Sequence, residues 1–408
     1  MKFFKRDKNI SKSKIRVRRP GHVTVPLLAV ALVISACGSS TSSTTKTATT
    51  SGSSPSASSS GASNTSSLKA SLTKLEQIPT FTAPGPAIQA SKLAGSTMVT
   101  IDCAPSAAPP AQTTAATVAA GKVAGINVKV LAGGNEDIPL DTQFLDQAIN
   151  LKPKAIITVG CTPPLLTVPL QAAKSAGIPV VCANYIPPNV GAPGQGCGTL
   201  AFGDAMQPAS EGTDLAKYVA VHGPKNAQIG FVSADEIAGS PAVEATFKTG
   251  LAKYCPGCKI IDIQNVNPGN WVTSLSSTIS SMLVAHPNMN YLVPVFDGMA
   301  PFVTSALASS ASGKSVKVIT TQGSIGAAMT NVEKGIFAAD VGSSDVWVGW
   351  VAIDQAMRAA LNLQPETNPS VPVRFETKAS LNGANPNSDA AIYGTSYVNG
   401  FKKLWGLG

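Results

Sequence analysis

LDTQFLDQAINLKPKAIITVG, residues 140–160, reads as a helix over 140–151, a break at Lys152-Pro153, and then an uncharged apolar strand over 155–160. The same unit recurs outward in both directions. Strands are predicted at 97–102, 127–131, 155–160, 179–183, 198–202, 228–233, 259–265, 291–296, 316–321 and 337–341. Helices are predicted between them at 111–124, 140–151, 164–176, 206–221, 240–253, 271–285, 300–311, 324–334 and 346–362. Short apolar strands bounded by Gly, Pro and Asn, each followed by a helix, form parallel α/β sheets. So many strands exceed one doubly wound domain, and two such sheets side by side fit the length. In this fold class a ligand sits beyond the carboxyl ends of the strands.

Ahead of this pattern lies a different composition. Residues 1–36 carry nine Lys/Arg against Asp7 alone, and the stretch 23–36 is uncharged and apolar. A basic head with a short apolar segment reads as a secretory signal, too short to span ~30 Å of hydrocarbon. Ile34-Ser35-Ala36-Cys37 resembles a bacterial lipobox, which makes Cys37 the expected lipidation site and the lipid anchor of the chain. From Gly38 to Ser67 the residues are nearly all Ser, Thr, Gly and Ala, a composition that cannot offset the entropy of ordering and reads as a flexible linker.

The net charge of +9 resides almost wholly in the leader, since 22 Lys/Arg face 21 Asp/Glu in the remainder. A near-neutral body excludes nucleic acid as a partner on electrostatic grounds. Catalysis finds little footing. His222 and His286 stand in helix-exit turns without a neighbouring nucleophile motif, no Gly-x-Ser-x-Gly occurs, and the carboxylates are scattered. The Gly-rich 191–198 stretch precedes a strand and lacks the Lys-Ser/Thr of a phosphate loop. Neither enzyme activity, cofactor nor metal is expected. Six cysteines follow Cys37, an even number suited to disulfides in an exported chain, with fifteen full pairings open. Cys255 and Cys258 form a C-x-x-C that follows a helix and precedes a strand. That position suits a structural clip; a thiol-disulfide enzyme places its first Cys at a helix amino end.

The chain from Gly95 to Leu361 resembles the type I periplasmic binding proteins of ABC importers, in their ribose-binding-like branch. The resemblance is carried by 140–160, by QAAKSAGIPVVCANY (171–185) and by FGDAMQPASEGTDLAKYV (202–219). It extends through GNWVTSLSSTISSMLVAHPNMNYLVPVFDGMAPFVTSAL (269–307) and EKGIFAADVGSSDVWVGWVAIDQAM (333–357). It implies two doubly wound lobes joined by several crossovers, closing on one small molecule and presenting the closed form to an ABC permease. The expected boundaries are 1–36 leader, 37–74 linker, 75–94 lead-in, 95–203 plus 345–377 first lobe, and 204–344 plus 378–408 second lobe.

Carried over residue by residue, the resemblance nominates Asn184, Tyr185, Phe247, Trp271, Phe296, Asp297, Gln322 and Ser343 as ligand contacts. Asp102, at a strand end, and Thr162, at a helix start, join them by position. Sugar binders of the branch usually offer Asp-Arg at 184–185, Arg at 247, Asn at 296, and Asp and Gln at 322 and 343. A sugar-like solute is expected, with a less polar cyclic or aromatic one as the alternative and a thiol-disulfide protein using Cys255 and Cys258 as a distant third. In the expected 2-1-3-4 strand order, Cys103 and Cys161 end neighbouring strands and can pair at the cleft, and Cys182 and Cys197 form a second candidate pair. The protein is expected to act as a monomer, lipid-anchored on the outer face of a bacterial cell membrane.

Overall fold

Two parallel sheets organise the chain, as a computed structural model shows for residues 59–134, 137–184, 208–237, 239–364 and 371–408. The leader, Cys37, the linker to residue 58, Tyr185, Cys197, the strand expected at 198–202 and the 203/204 lobe boundary lie outside these residues.

The first sheet has the order β2-β1-β3-β4, from β1 (Thr97–Asp102), β2 (Asn127–Ala132), β3 (Ile156–Val159) and β4 (Val180–Ala183). Its pairings are all parallel. β3 is buried at every position, whereas the edge strand β2 exposes Lys129 and Val130. That contrast is what an uncharged run and a lysine-bearing one predict. Between the strands run α2 (Ala108–Val123), α3 (Ile138–Asn150) and α4 (Thr167–Ser175), which follow helix α1 (Ser59–Leu75) in the chain. Asp137 caps α3 by accepting a hydrogen bond from the Leu140 N–H.

The second sheet holds β5 (Gln228–Ser233), β6 (Lys259–Asn265), β7 (Tyr291–Pro294), β8 (Lys317–Gln322), β9 (Phe337–Gly342) and β10 (Arg374–Glu376), in the order β10-β9-β8-β7-β5-β6. Only β10 runs antiparallel. Its helices are α5 (Pro208–His222), α6 (Gly239–Tyr254), α7 (Ser276–Ala285), α8 (Ala300–Ser309) and α9 (Ala327–Lys334). α10 (Asp345–Ala360) then returns to the first lobe and packs along α2. Gly349 permits this, because a Cβ there would lie 2.5 Å from the Ala116 Cβ and 2.7 Å from the Thr113 carbonyl. No described helix is long and apolar enough to cross a membrane.

The expected boundaries need correction at both ends. Helix α1 begins inside the stretch assigned to the linker, where the Ser/Thr tract gives way to Leu68, Leu72 and Leu75 at helical spacing. Leu72 is 3% exposed and joins the second lobe's core. At the other end, β10 extends the second sheet rather than the first. Its three residues include two charges, so no apolar run announced it. α11 (Lys378–Leu381) and α12 (Asp389–Tyr393) stay with the second lobe, and Leu381, Ile392 and Tyr393 enter its core. α13 (Ser396–Leu404) instead packs on α10: Trp405 stacks on Trp350 at 5.3 Å, and Phe401 and Tyr397 complete an aromatic cluster in the first lobe. The segments before β1 and after α10 thus touch both lobes.

Cys103 and Cys161 are joined by a disulfide across the carboxyl ends of β1 and β3, with 58 residues between them in sequence. Changing both to Ala is expected to lower the unfolding free energy by about 2–4 kcal/mol, because the unfolded chain regains the closed loop's entropy. Urea denaturation of the wild type and the double variant measures this; equal midpoints would contradict it. Cys182 is disulfide-bonded as well, and Cys255 is bonded to Cys258 in the turn between α6 and β6.

Candidate functional site

Strands β1, β3 and β4 end together at one rim of the first lobe. Asp102 closes β1, but its Oδ1 accepts the Ala104 N–H at 3.1 Å and the residue is 2% exposed. Burial pushes its carboxyl up, with a hydrogen bond from Thr114 opposing. Asp102 therefore orders its own loop. Thr162 follows the Cys103–Cys161 bridge, is half-buried, and spends no side-chain hydrogen bond on capping the Pro163–Leu165 turn.

Asn184, just after β4, sits at φ 51°, a left-handed conformation that Asn tolerates better than most residues. Its side chain links three elements. Its Oδ1 lies 2.9 Å from the Thr113 hydroxyl of α2, which also lies 3.0 Å from the Asp345 carbonyl, so a single proton serves either acceptor. Its amide donates to Asp345 Oδ1 at 3.4 Å. Asp345 opens α10 behind Ser344, whose hydroxyl caps the helix by accepting the Trp347 N–H.

On the second lobe, Asp297 begins the short turn Asp297–Met299 that follows β7, and its Oδ2 accepts the Ser324 N–H at 2.6 Å. Gln322 ends β8 at φ 116°, half-buried. Trp271 starts a π-helical turn, Trp271–Leu275. Its indole N–H is engaged by the Val266 carbonyl at 2.9 Å, and its ring edge approaches the backbone of Gly298, where a Cβ would stand 3.5 Å from Cζ3. A methyl group at 298 would sit in ordinary van der Waals contact with the indole.

These residues form two linked groups: Asn184 bonds Asp345, and Ser324 bonds Asp297, whose turn at Gly298 meets Trp271, with the charges of Asp345 and Asp297 acting on each other between them. A direct bond reinforces the link, from the Gln112 amide on α2 to the Ile325 carbonyl after β8 at 3.1 Å. The acids of these groups are deeply buried. Burial drives Asp297 well above the usual carboxylate range and the charge of Asp340 adds to it, while hydrogen bonds from Ser324 and Gly298 oppose. Burial likewise raises Asp345, with Asp297 adding, against hydrogen bonds from Ser324 and Asn184.

Three nominated residues sit elsewhere than expected. Phe247 has no exposed surface and packs against Phe231 at 5.8 Å in the second lobe's core, its phenyl ring driven there by burial rather than offered to a ligand. Phe296 is 5% exposed and belongs to the same core. Ser343 is buried and donates to the Val371 carbonyl at 3.4 Å, brought under the segment that leads to β10. Tyr185 lies outside the described residues. Gln112, Thr113, Ser324, Asp340 and Asp345 were not anticipated. Asp340 and Asp345 did leave a signal, since a lone acid inside an apolar strand or directly at a buried helix start is costly unless it has a task.

Paired parallel-sheet lobes, strand ends facing one another and several chain crossings between them define a clamp that encloses a small solute between its halves. The chain belongs to the periplasmic binding protein domain family, whose model matches residues 110–363, more than half of its length. No curated protein sequence matches it. Among solved structures it is similar to a 5-methylthioribose transporter solute-binding protein from Thermotoga lettingae, in complex with 5-methylthioribose. The two share 14% identity over 76% of this chain and 97% of that one, with a TM-score of 0.62. It is also similar to an ABC transporter solute-binding protein from Agrobacterium vitis bound with alpha-D-tagatopyranose (16% identity, 71% and 96% coverage, TM-score 0.62). A carbohydrate transporter solute-binding protein from Agrobacterium radiobacter with D-arabinose gives 20% identity, 73% and 98% coverage and a TM-score of 0.60. At these identities the likeness is one of fold, the type I architecture.

Proposed function

We propose that this protein is the extracytoplasmic, lipid-anchored substrate-binding component of an ABC importer, holding a small hydroxylated ring solute between its lobes and delivering it to a membrane permease. The observation that carries this reading is the direct bond between the two lobes at their strand ends, from the Gln112 amide on α2 to the Ile325 carbonyl after β8, next in sequence to the Thr113–Asn184 and Ser324–Asp297 bonds. Asn184, Asp297 and Gln322 supply polar contacts and Trp271 a ring face. The neighbours' bound sugars support a carbohydrate-like solute. A less polar cyclic solute loses ground, because the phenyl rings of Phe247 and Phe296 are committed to the core.

Closure follows from linkage: only the closed form makes both sets of contacts, so a solute shifts the population toward it. A thermal-shift panel of sugars, polyols, nucleosides, amino acids and aromatic acids is expected to raise Tm for sugars, with stabilisation of about 2.7 kcal/mol at a hundredfold excess over Kd. Trp271→Ala is expected to weaken that solute roughly thirtyfold, about 2 kcal/mol, as aromatic anchors of a binding site do. A panel without any shift would count against the reading. Anchoring rests on Ile34-Ser35-Ala36-Cys37. Cys37→Ser is expected to move the protein from the membrane fraction to the medium, and a membrane-retained variant would contradict the anchor.

A further inference from the structure

We infer that the solute carries a protonated amine, seated on the second-lobe side of the cleft among Asp297, Asp340 and Asp345. The inference rests on the solute-binding reading above and narrows its substrate class.

β7, β8 and β9 lie side by side in the second sheet, and the three carboxylates gather where they end. Two of them meet consecutive residues: the Gly323 N–H donates to Asp340 Oδ1 at 3.3 Å and the Ser324 N–H donates to Asp297 Oδ2, while the charges of Asp297 and Asp345 act on each other. Asp297, Asp340 and Asp345 are 3%, 0% and 2% exposed. One oxygen of each, Oδ1 of Asp297 and Oδ2 of Asp340 and Asp345, accepts no hydrogen bond. Buried acceptors in folded proteins are almost always matched with a donor. Three unmatched ones at the carboxyl ends of a binding protein's sheet mark the place where a donor arrives from outside.

Among the described residues no cation acts on these three carboxyls. The charges acting on the three acids come from one another and from Glu211, Glu376 and Asp389. The two buried guanidiniums are engaged elsewhere, Arg358 with Asp354 and Arg374 with the carbonyls of Glu76, Ser380 and Ile392. The segments 135–136, 185–207 and 365–370 contain no Lys, Arg or His. An ammonium supplies three N–H donors and no acceptor, which answers the three unmatched carboxyl oxygens and compensates the charge they take on when they release the protons that burial holds on them; a hydroxyl brings lone pairs of its own and no charge. Among the described residues no group of three or more His, Cys, Asp or Glu is spaced to hold a metal ion, which favours an organic cation. Trp271 offers the complementary surface. Its N–H is spent on Val266, and its ring edge meets the turn that carries Asp297, setting an aromatic wall beside that acid.

The test titrates the full chain with matched pairs: glucosamine against glucose, galactosamine against galactose, mannosamine against mannose, together with the N-acetyl form of each amine and calcium chloride alone. The readouts are Tm and calorimetric Kd. The expected result is that in the pair that fits, the free amine binds at least tenfold tighter than its hydroxyl parent, N-acetylation removes the gain, and Asp345→Asn abolishes the preference without unfolding the protein. Should Asp345→Asn fail to fold, Asp297→Asn provides the same comparison. A neutral sugar binding as tightly as its amine, or binding while no amine does, would overturn the inference and leave the solute-binding reading standing. Tight calcium binding would also overturn it. No Tm shift from any pair, nor from the wider solute panel, would instead count against the solute-binding reading itself.

Discussion

Replacing Arg374 by methionine is expected to cost about 3–5 kcal/mol of unfolding free energy, the range for stripping a buried charge from its partners. Arg374 is 2% exposed. It donates to three backbone carbonyls: Glu76 after α1 at 3.2 Å, Ser380 in α11 at 2.8 Å, and Ile392 in α12. Its charge also faces the buried carboxyl of Glu376 and the half-buried one of Glu76. Methionine fills much of the volume but leaves those carbonyls without a donor, each at a cost of about 1–3 kcal/mol. Lysine restores the charge without the planar fork, so Arg374→Lys is expected to recover only part of the loss. Urea denaturation with intrinsic fluorescence measures both variants. A methionine variant within about 1 kcal/mol of wild type would show that the terminal segments do not depend on this residue.

Raising the pH from 5 to 8 is expected to destabilise the solute-free protein. Asp340 is pushed up to about 7, by burial first, with Glu211 of α5 and Asp345 of α10 adding and the Gly323 N–H opposing. Asp297 and Tyr393 face it as well, as does Glu376 of the neighbouring β10. Burial also holds the carboxyls of Asp297, Asp345 and Glu376 well above their ordinary range. In the unfolded chain an aspartate releases its proton near pH 4, whereas the folded protein keeps it. Between those two values the folded state binds more protons, so each pH unit gained removes about 1.4 kcal/mol per such group. For Asp340 the stabilisation is fully present below about pH 4 and lost progressively up to about pH 7. Asp340→Asn is expected to flatten the slope between pH 5 and 7 by about one proton. Denaturation midpoints across that range decide it, and a wild type that gains stability with rising pH would contradict the protonation scheme.

The pH slope and the Arg374 effect arise in parts of the molecule that the residue pattern disclosed unequally. Nine strands and the helices between them were legible because each is a plain case: an uncharged apolar run such as 156–159, or an amphipathic helix such as 140–151, whose start at Ile138 behind the Asp137 cap was placed two residues late. β10 was not legible, because Arg-Phe-Glu carries two charges whose partners come from distant segments. α1 hid behind a tract of serines and threonines whose composition overwhelms three leucines. In the candidate site, Asn184, Trp271 and Asp297 could be named only through the family resemblance, which places ligand contacts in the loops after the strands. Phe247 misled, since a phenyl near a cleft and a phenyl in a core look alike in one dimension. Ser324 and Thr113 escaped because a hydroxyl acquires its partners only through tertiary contact.

A crystal structure of the full chain with the solute that most raises Tm tests the clamp most directly. The account predicts one solute molecule touching Asn184, Asp297 and Trp271 together, with the Gln112–Ile325 bond intact beside it. A solute seated on one lobe alone, or in the shallow hollow between α7 and α8 lined by Val284 and Pro287, would contradict it.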